Sequence, residues 1–198
     1  MSKPVVESWQ QIVDWLGKNA AETVALLQKP VSAETISRAE ARVGFQLPEE
    51  LKSLYLLCNG NDPHKAATGI YPSVDDYDEM AYGPLALEQA LSEWEIQKEL
   101  LEGGDFEGEE PESEDGVADV WWHVGWFPCG SNGGGDLYCV DTAPDEGGTI
   151  GQVISHSHET GERKILARSI GEYLSKLAEG LAAGQLEYDE DCGLQTAE

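Results

Sequence analysis

The chain has 198 residues, enough for one domain with a sizeable core. Its hydrophobic fraction of 40%, punctuated by recurring Gly, Pro and Asn/Asp, is globular composition and argues against a disordered chain. Twelve Lys and Arg stand against 38 Asp and Glu, a formal net charge of −26 that repels phosphate backbones and anionic membranes and so disfavours direct binding to either.

In chain order, the first element is a helix predicted over residues 6–28. Trp9, Ile12, Val13, Leu16, Ala20 and Val24 recur at helical spacing, Gly17 weakens the pattern and Pro30 ends it. Ser32 is placed to cap a second helix running to about Val43, with Gly44 as its terminator. Leu47-Pro48 opens a third, with Glu49 and Glu50 at the positive end of its dipole, an apolar stripe of Leu51, Leu54, Tyr55 and Cys58, and a stop at Asn59-Gly60. Residues 61–83 carry loop signals and a short strand candidate around Gly69–Tyr71. Leu87, Leu91, Trp94 and Leu101 mark a fourth helix, ended by Gly103-Gly104.

From Asp105 to Asp119 the sequence reads DFEGEEPESEDGVAD, without a single Lys or Arg, and is predicted to be a mobile acidic loop or insert. Strands are predicted over Val120–Phe127, Leu137–Asp141 and Thr149–Ser155, the first two joined by the glycine-rich turn Ser131–Asp136, and a further turn at Glu159–Gly161. Ser169 opens the last helix, in a capping box with Glu172 and with Ile170, Tyr173, Leu174, Leu177 and Leu181 as its stripe. Gly184 ends it, and an acidic tail occupies 185–198. Helices, then mainly hairpin-connected strands, then a helix make an α+β fold: N-terminal helices, a central antiparallel sheet, and a C-terminal helix packed on it. One domain over 1–198 is expected.

No segment is long and apolar enough to span a bilayer, and Met1–Trp9 lacks the pattern of a secretory signal. Cys58, Cys129, Cys139 and Cys192 are widely spaced without Cys-x-x-Cys. They are expected to be reduced thiols of a cytoplasmic protein, a Cys129–Cys139 bridge being the lesser alternative.

Catalytic signatures are weak. There is no Walker loop and no Gly-x-Ser-x-Gly elbow, and His64, His123, His156 and His158 form no recognisable triad. Gly133-Gly134-Gly135-Asp136 reads as a turn, since no nearby cation supports an anion cradle. His156-x-His158 would put two imidazoles on one strand face, able with Cys139 or an acid to hold a metal. Without a third and fourth ligand at diagnostic spacing, two exposed polar residues near a turn is the preferred reading. Asp75–Glu79 and Asp189-x-Asp191-x-Gly193 each lack parts of a calcium loop. No metal, cofactor or enzymatic activity is expected.

The charge is segregated. Across residues 99–162 there are sixteen Asp and Glu and no Lys or Arg. The candidate partner-binding residues are therefore Glu107, Glu109, Glu110, Glu112, Glu114 and Asp115, with Trp121 and His123 from the aromatic segment WWHVGW. On a strand, Trp122, Val124 and Trp126 would share one face and Trp121 and His123 the other, and one of the two must be core. That other face either receives a partner, as Trp often does, or is covered by a helix. A basic protein is the natural partner of such a field, although solubility or a salt-rich habitat would also account for acidity.

Two stretches, taken together, resemble a known family. One is EARVGFQLPEELKSLY (Glu40–Tyr55) closing at Asn59-Gly60. The other is Trp126-Phe127-Pro128, then Gly134-Gly135-Asp136-Leu137-Tyr138-Cys139-Val140-Asp141 and Gly151-Gln152-Val153. In this order they look like the SUKH superfamily, over roughly Ser32 to Leu181. The N-terminal helix, the acidic insert and the acidic tail lie outside the matched motifs. The superfamily includes fungal cell-wall assembly regulators and bacterial immunity proteins that neutralise toxins. The resemblance implies a protein-binding scaffold. It leads to the expectation of an immunity protein blocking a basic, nuclease-like cognate toxin, as a monomer or weak homodimer. The alternative is a regulatory or scaffold protein of the fungal type, and a third reading is a metal- or small-ligand-dependent enzyme.

Overall fold

In a computed structural model describing residues 3–62, 69–74 and 80–197, most helix boundaries fall where capping chemistry puts them. The helices are α1 (Lys3–Asn19), α2 (Ala21–Val24), α3 (Ala33–Val43), α4 (Glu49–Tyr55), α5 (Leu87–Gly103) and α6 (Ile170–Ala183). Ser32 Oγ accepts from Thr35 N–H at the start of α3, and Gly44 closes it at φ +86°. Ser169 Oγ accepts from Glu172 N–H at the start of α6, and the Glu172 carboxylate reaches back to Arg168 N–H.

The predicted helix over 6–28 is two helices. Asn19 turns its side-chain amide onto the Trp15 carbonyl, a local bond that competes with the helical ladder, and Ala20 leaves helical geometry at φ −149°, ψ 55°. The chain then re-enters as the four-residue α2. Leu101, predicted on the apolar stripe of α5, is exposed; burial there ends with Trp94. Pro48 sits at the N-cap of α4, one position ahead of its expected place. Asn59 does more than stop α4: its side-chain oxygen accepts from Leu87 N–H and caps α5.

The strands are β1 (Gly83–Pro84), β2 (Glu112–Ser113), β3 (Trp126–Ser131), β4 (Leu137–Asp141), β5 (Gln152–His156), β6 (Glu162–Arg163), β7 (Ile165–Ala167), β8 (Leu186–Asp189) and β9 (Gly193–Thr196). The main sheet has the order β1-β3-β4-β5-β7, antiparallel throughout. β2 and β6 pair in parallel, and β8 and β9 form a hairpin. The α+β expectation holds, and α6 packs on the sheet through Tyr173, whose ring meets Tyr71 and Tyr138 edge-on. The glycine-rich turn 131–136 joins β3 to β4 as predicted, with Asn132 Oδ1 holding Gly134 N–H and Asp136 N–H. Residues 185–197, read only as an acidic tail, are the β8–β9 hairpin. Asp189 accepts from Asp191 and Cys192 N–H at its turn, and Leu194 is fully buried. His64 and the Asp75–Glu79 cluster lie outside the described residues.

Alternation gives the sheet two different faces. Phe127, Cys129, Tyr138 and Val140 point to a layer built from α1, α4 and α6. Trp126, Leu137, Cys139, Asp141, Gln152, Ile154 and His156 point the other way, and this second face is covered by α5 and by residues 105–125. The sheet is therefore a sandwich filling, and the segment read as an insert is half of one slice.

Candidate interaction site

The acidic segment 105–119 is built into the fold, contrary to its expected mobility. Three kinds of contact hold it. The first is the parallel ladder: Glu112 N–H donates to the Gly161 carbonyl at 2.9 Å and Glu114 N–H to the Arg163 carbonyl at 2.8 Å. The second is a side-chain cap, the Glu114 carboxylate accepting from Ile165 N–H at 2.6 Å on the open side of β7. The third is a buried polar brace. Gln152 on β5 donates to the Gly116 carbonyl and to Asp141 Oδ2, while its oxygen accepts from Thr149 N–H. Burial pushes the Asp141 carboxyl up, and the Ala143 N–H and Gln152 bonds oppose that shift. Val117 is buried beneath the segment. A charge run with a partner for its backbone need not be a free loop, and only the pairing of residues fifty positions apart reveals it.

Arg163 is the anchor, and sequence reasoning passed over it. It is fully buried, and among the described residues no carboxylate pairs with it. Its guanidinium donates to the backbone carbonyls of Ser157 (2.8 Å), Glu162 (2.8 Å) and Trp121 (2.6 Å). The same group lies 5.2 Å from the Trp121 ring centroid and 5.8 Å from that of Trp126. Burial lowers its pKa to about 10. The available signal was positional, Arg163 being the first cation after a 64-residue span without one.

The predicted strand Val120–Phe127 begins only at Trp126. His123 closes a turn instead, its carbonyl accepting from Trp126 N–H and its Nδ1 from Gly125 N–H, while Trp94 Nε1 takes the Val124 carbonyl. The period-two division of faces therefore fails. Trp122 and Trp126 are both buried, Val124 is exposed, and Trp121 and His123 are half-buried. Trp121 packs between Phe106 and Arg163.

Outward, the segment presents Glu107, Glu109, Glu110, Glu112, Glu114 and Asp115, all exposed. Among the described residues no Lys or Arg pairs with any of them, whereas most acids elsewhere near a cation are paired, such as Glu95 with Arg42, Glu40 with Lys52 and Glu172 with Lys176. Glu114 is the exception in role, since its carboxylate is bonded to Ile165 N–H. The β4–β5 turn adds to the same face. Gly148 touches Gly116 so closely that a Cβ on Gly148 would lie 2.1 Å from the Gly116 carbonyl oxygen, which brings exposed Asp145 and Glu146 beside Asp115. The arrangement is an anionic surface fixed in place by backbone pairing.

The remaining candidates are placed apart. His156 is buried on β5, not exposed as expected, while His158 lies beyond the strand with Nδ1 2.8 Å from Asp136 Oδ1. Among the described residues no group of three or more His, Cys, Asp or Glu is arranged to hold a metal. None of the four cysteines is in a disulfide bond. Burial raises Cys58 to about 11 and Cys129 to about 12. No described helix is long and apolar enough to cross a membrane.

The motif residues are fold determinants. Glu40 accepts from Leu47 N–H and pairs with Lys52, fixing the Gly44–Pro48 turn. Glu50 accepts from Gly171 N–H in the first turn of α6. Known proteins resemble the chain over most of its length. The chain is 23% identical to a glucan synthesis regulatory protein of Neurospora crassa over 94% of its own length and 40% of that protein. It is 24% identical to the cell wall biosynthesis/cell cycle regulator smi1 of Schizosaccharomyces pombe over 95% of its length and 38% of the relative. It is 21% identical to the cell wall assembly regulator SMI1 of Saccharomyces cerevisiae, covering 89% of the chain and 40% of the relative. The chain thus spans about 40% of the length of these relatives. The profile of the SMI1 / KNR4 family (SUKH-1) matches residues 30–176, which take in both motif stretches, and the chain belongs to that family.

Proposed function

We propose that this chain is a regulatory or scaffold protein, regulation being what its fungal relatives' names state of them, and that it works in the cytoplasm by binding a basic protein partner on its anionic face, without catalysis of its own. The observation that carries the reading is the row Glu107, Glu109, Glu110, Glu112 and Asp115, held rigidly outward with no pairing cation among the described residues. A preorganised one-signed surface speeds encounter with an oppositely charged protein by about 10- to 10³-fold and loses that advantage in salt. The relatives' names support regulation more directly than immunity.

A second reading keeps the same face and changes the partner: an immunity protein occupying the phosphate-gripping surface of a nuclease-like toxin. The sixteen acids without a cation across 99–162 favour it.

The test is affinity capture with the tagged chain, run beside a variant in which Glu107, Glu109, Glu110 and Glu112 become Gln and Asp115 becomes Asn. Glu114 stays intact because its carboxylate caps β7. Basic proteins captured by the first and lost from the second support the reading, and rescue of growth on co-expression with a captured toxin selects immunity. Equal capture by both chains at low salt rejects the anionic face as the binding face.

A further inference from the structure

His156 occupies an unusual position under the acidic segment. It is 1% exposed, and among the described residues neither ring nitrogen has a hydrogen-bond partner. Its ring lies edge-on to Trp122, centroids 5.2 Å apart, and to Trp126 at 6.4 Å. Among the described residues Trp122 Nε1 and Arg163 Nε, in the same cluster, also lack partners. Buried polar atoms are rarely left so, and each group needs an explanation.

The charged and titratable groups around the ring are few. From β6 comes Arg163, a like charge to a protonated imidazole; from the β3–β4 turn comes Asp136, of opposite sign; beyond β5 lies His158. The segment 121–126 contributes only indole rings against it. Glu93 on α5 faces Cys139 on the same sheet face, and Asp141, at the far end of β4, is committed to Gln152 and Ala143 N–H. Asp136 is engaged with His158 through both its backbone N–H and its ring. A proton on His156 therefore meets a buried guanidinium and aromatic walls, and the backbone of His156 itself, which favours the charge, is outweighed by burial and by Arg163.

We propose that residues 105–122 are an acid-released latch, in which protonation of His156 drives Trp121, Trp122 and the acidic segment off the sheet while the α1–α4–α6 layer stays folded. The inference stands apart from what docks on the acidic face. Two features make the segment the part that moves. It is held by two ladder bonds, one carboxylate cap, the Gln152–Gly116 brace and the Arg163–Trp121 bond, whereas the opposite face is closed by three packed helices. Arg163 is also both the like charge beside His156 and the anchor of the segment, so relieving the repulsion and letting go of the anchor are one motion.

The sign follows from linkage. Burial first, and Arg163 second, lower His156 to about 3 from its ordinary 6.5. Below 6.5 the open state takes up a proton that the closed state refuses. The latch is therefore fully closed above that value and weakens as pH falls toward 3, its opening constant rising about tenfold per pH unit.

The experiment uses the full chain carrying 5-fluorotryptophan, whose six fluorine signals are assigned by single Trp→Phe changes and followed from pH 7.5 to 4. Trp121, Trp122 and Trp126 are expected to change together at a pH where Trp9 and Trp15, on α1, do not. His156→Phe, which keeps a ring among the tryptophans and removes the titration, abolishes the change. His156→Leu serves if the first variant fails to fold, and the wild type decides if both do. Simultaneous change of Trp9 and Trp122 in the wild type, a slope far from one proton, no change down to pH 4, or an unaltered transition in a folded His156 variant would each overturn the latch.

Discussion

Arg163 shows what one buried side chain can hold. Its two terminal nitrogens serve three carbonyls, Ser157 and Glu162 on its own hairpin and Trp121 forty-two residues earlier, in a fork that a lysine would not reproduce. Arg163→Met keeps the volume and the aromatic contacts but orphans the carbonyls of Ser157, Glu162 and Trp121. A loss of about 2–4 kcal/mol is expected from the urea midpoint, because buried groups stripped of a charged donor bear their full desolvation cost. The thiols give a second check at this scale. Cys58, Cys129 and Cys139 are buried and held protonated, whereas Cys192 is half-buried. Iodoacetamide at pH 8 should alkylate Cys192 in the native chain and reach the others only after unfolding, as counted by intact mass. Cys129 and Cys139 sit on adjacent strands yet on opposite faces of the sheet, which is why the bridge weighed from sequence does not form.

At the scale of elements, sequence was a good guide wherever the bonds are local. Ser32, Gly44, Ser169, Gly184 and the Asn132 turn each act within four residues, and all stand where their chemistry predicted. Ser169→Ala should cost about 1 kcal/mol in a thermal or urea melt. Reading failed where a distant partner decided. Residues 120–125 have strand composition, but the Trp94 indole and the His123 ring take their backbone groups and make a turn. The acidic segment looked unstructured because its partners, Gly161, Arg163, Ile165 and Gln152, all come later in the chain. Gly116 and Gly148 mark the closest approach between the segment and the β4–β5 turn. Gly148→Ala places a methyl inside contact distance of the Gly116 carbonyl, and a loss of at least about 2 kcal/mol, with faster amide exchange confined to 112–118, is the expected outcome.

For the molecule as a whole, charge and packing are separated in a way composition could not disclose. The total of −26 was legible at once, and its concentration over 99–162 nearly so. That the acids ride on a segment closing one face of the sheet was not, since it depends on Arg163 and the parallel ladder. The surface is therefore anionic and rigid together. Association with a captured basic partner should slow by about tenfold or more between 20 and 200 mM salt, measured by stopped flow, with much less change in the dissociation rate. Neutralising these five acids should flatten that dependence without lowering the melting temperature, because none of their carboxylates is bonded to a described residue as that of Glu114 is.

The parallel pairing of Glu112–Ser113 with Glu162–Arg163 also sets a timetable. During synthesis the segment leaves the ribosome fifty residues before the strand it pairs with, and closing so long a loop is slow compared with making a helix. Trp121, Trp122 and Trp126 emerge at once behind it, with neither Arg163 nor His156 yet made. Fifteen residues carrying eight negative charges directly ahead of three tryptophans keep that nascent stretch apart from its copies until its cover arrives. The acids are thus gatekeepers of an unfinished chain before they are a surface of the finished one.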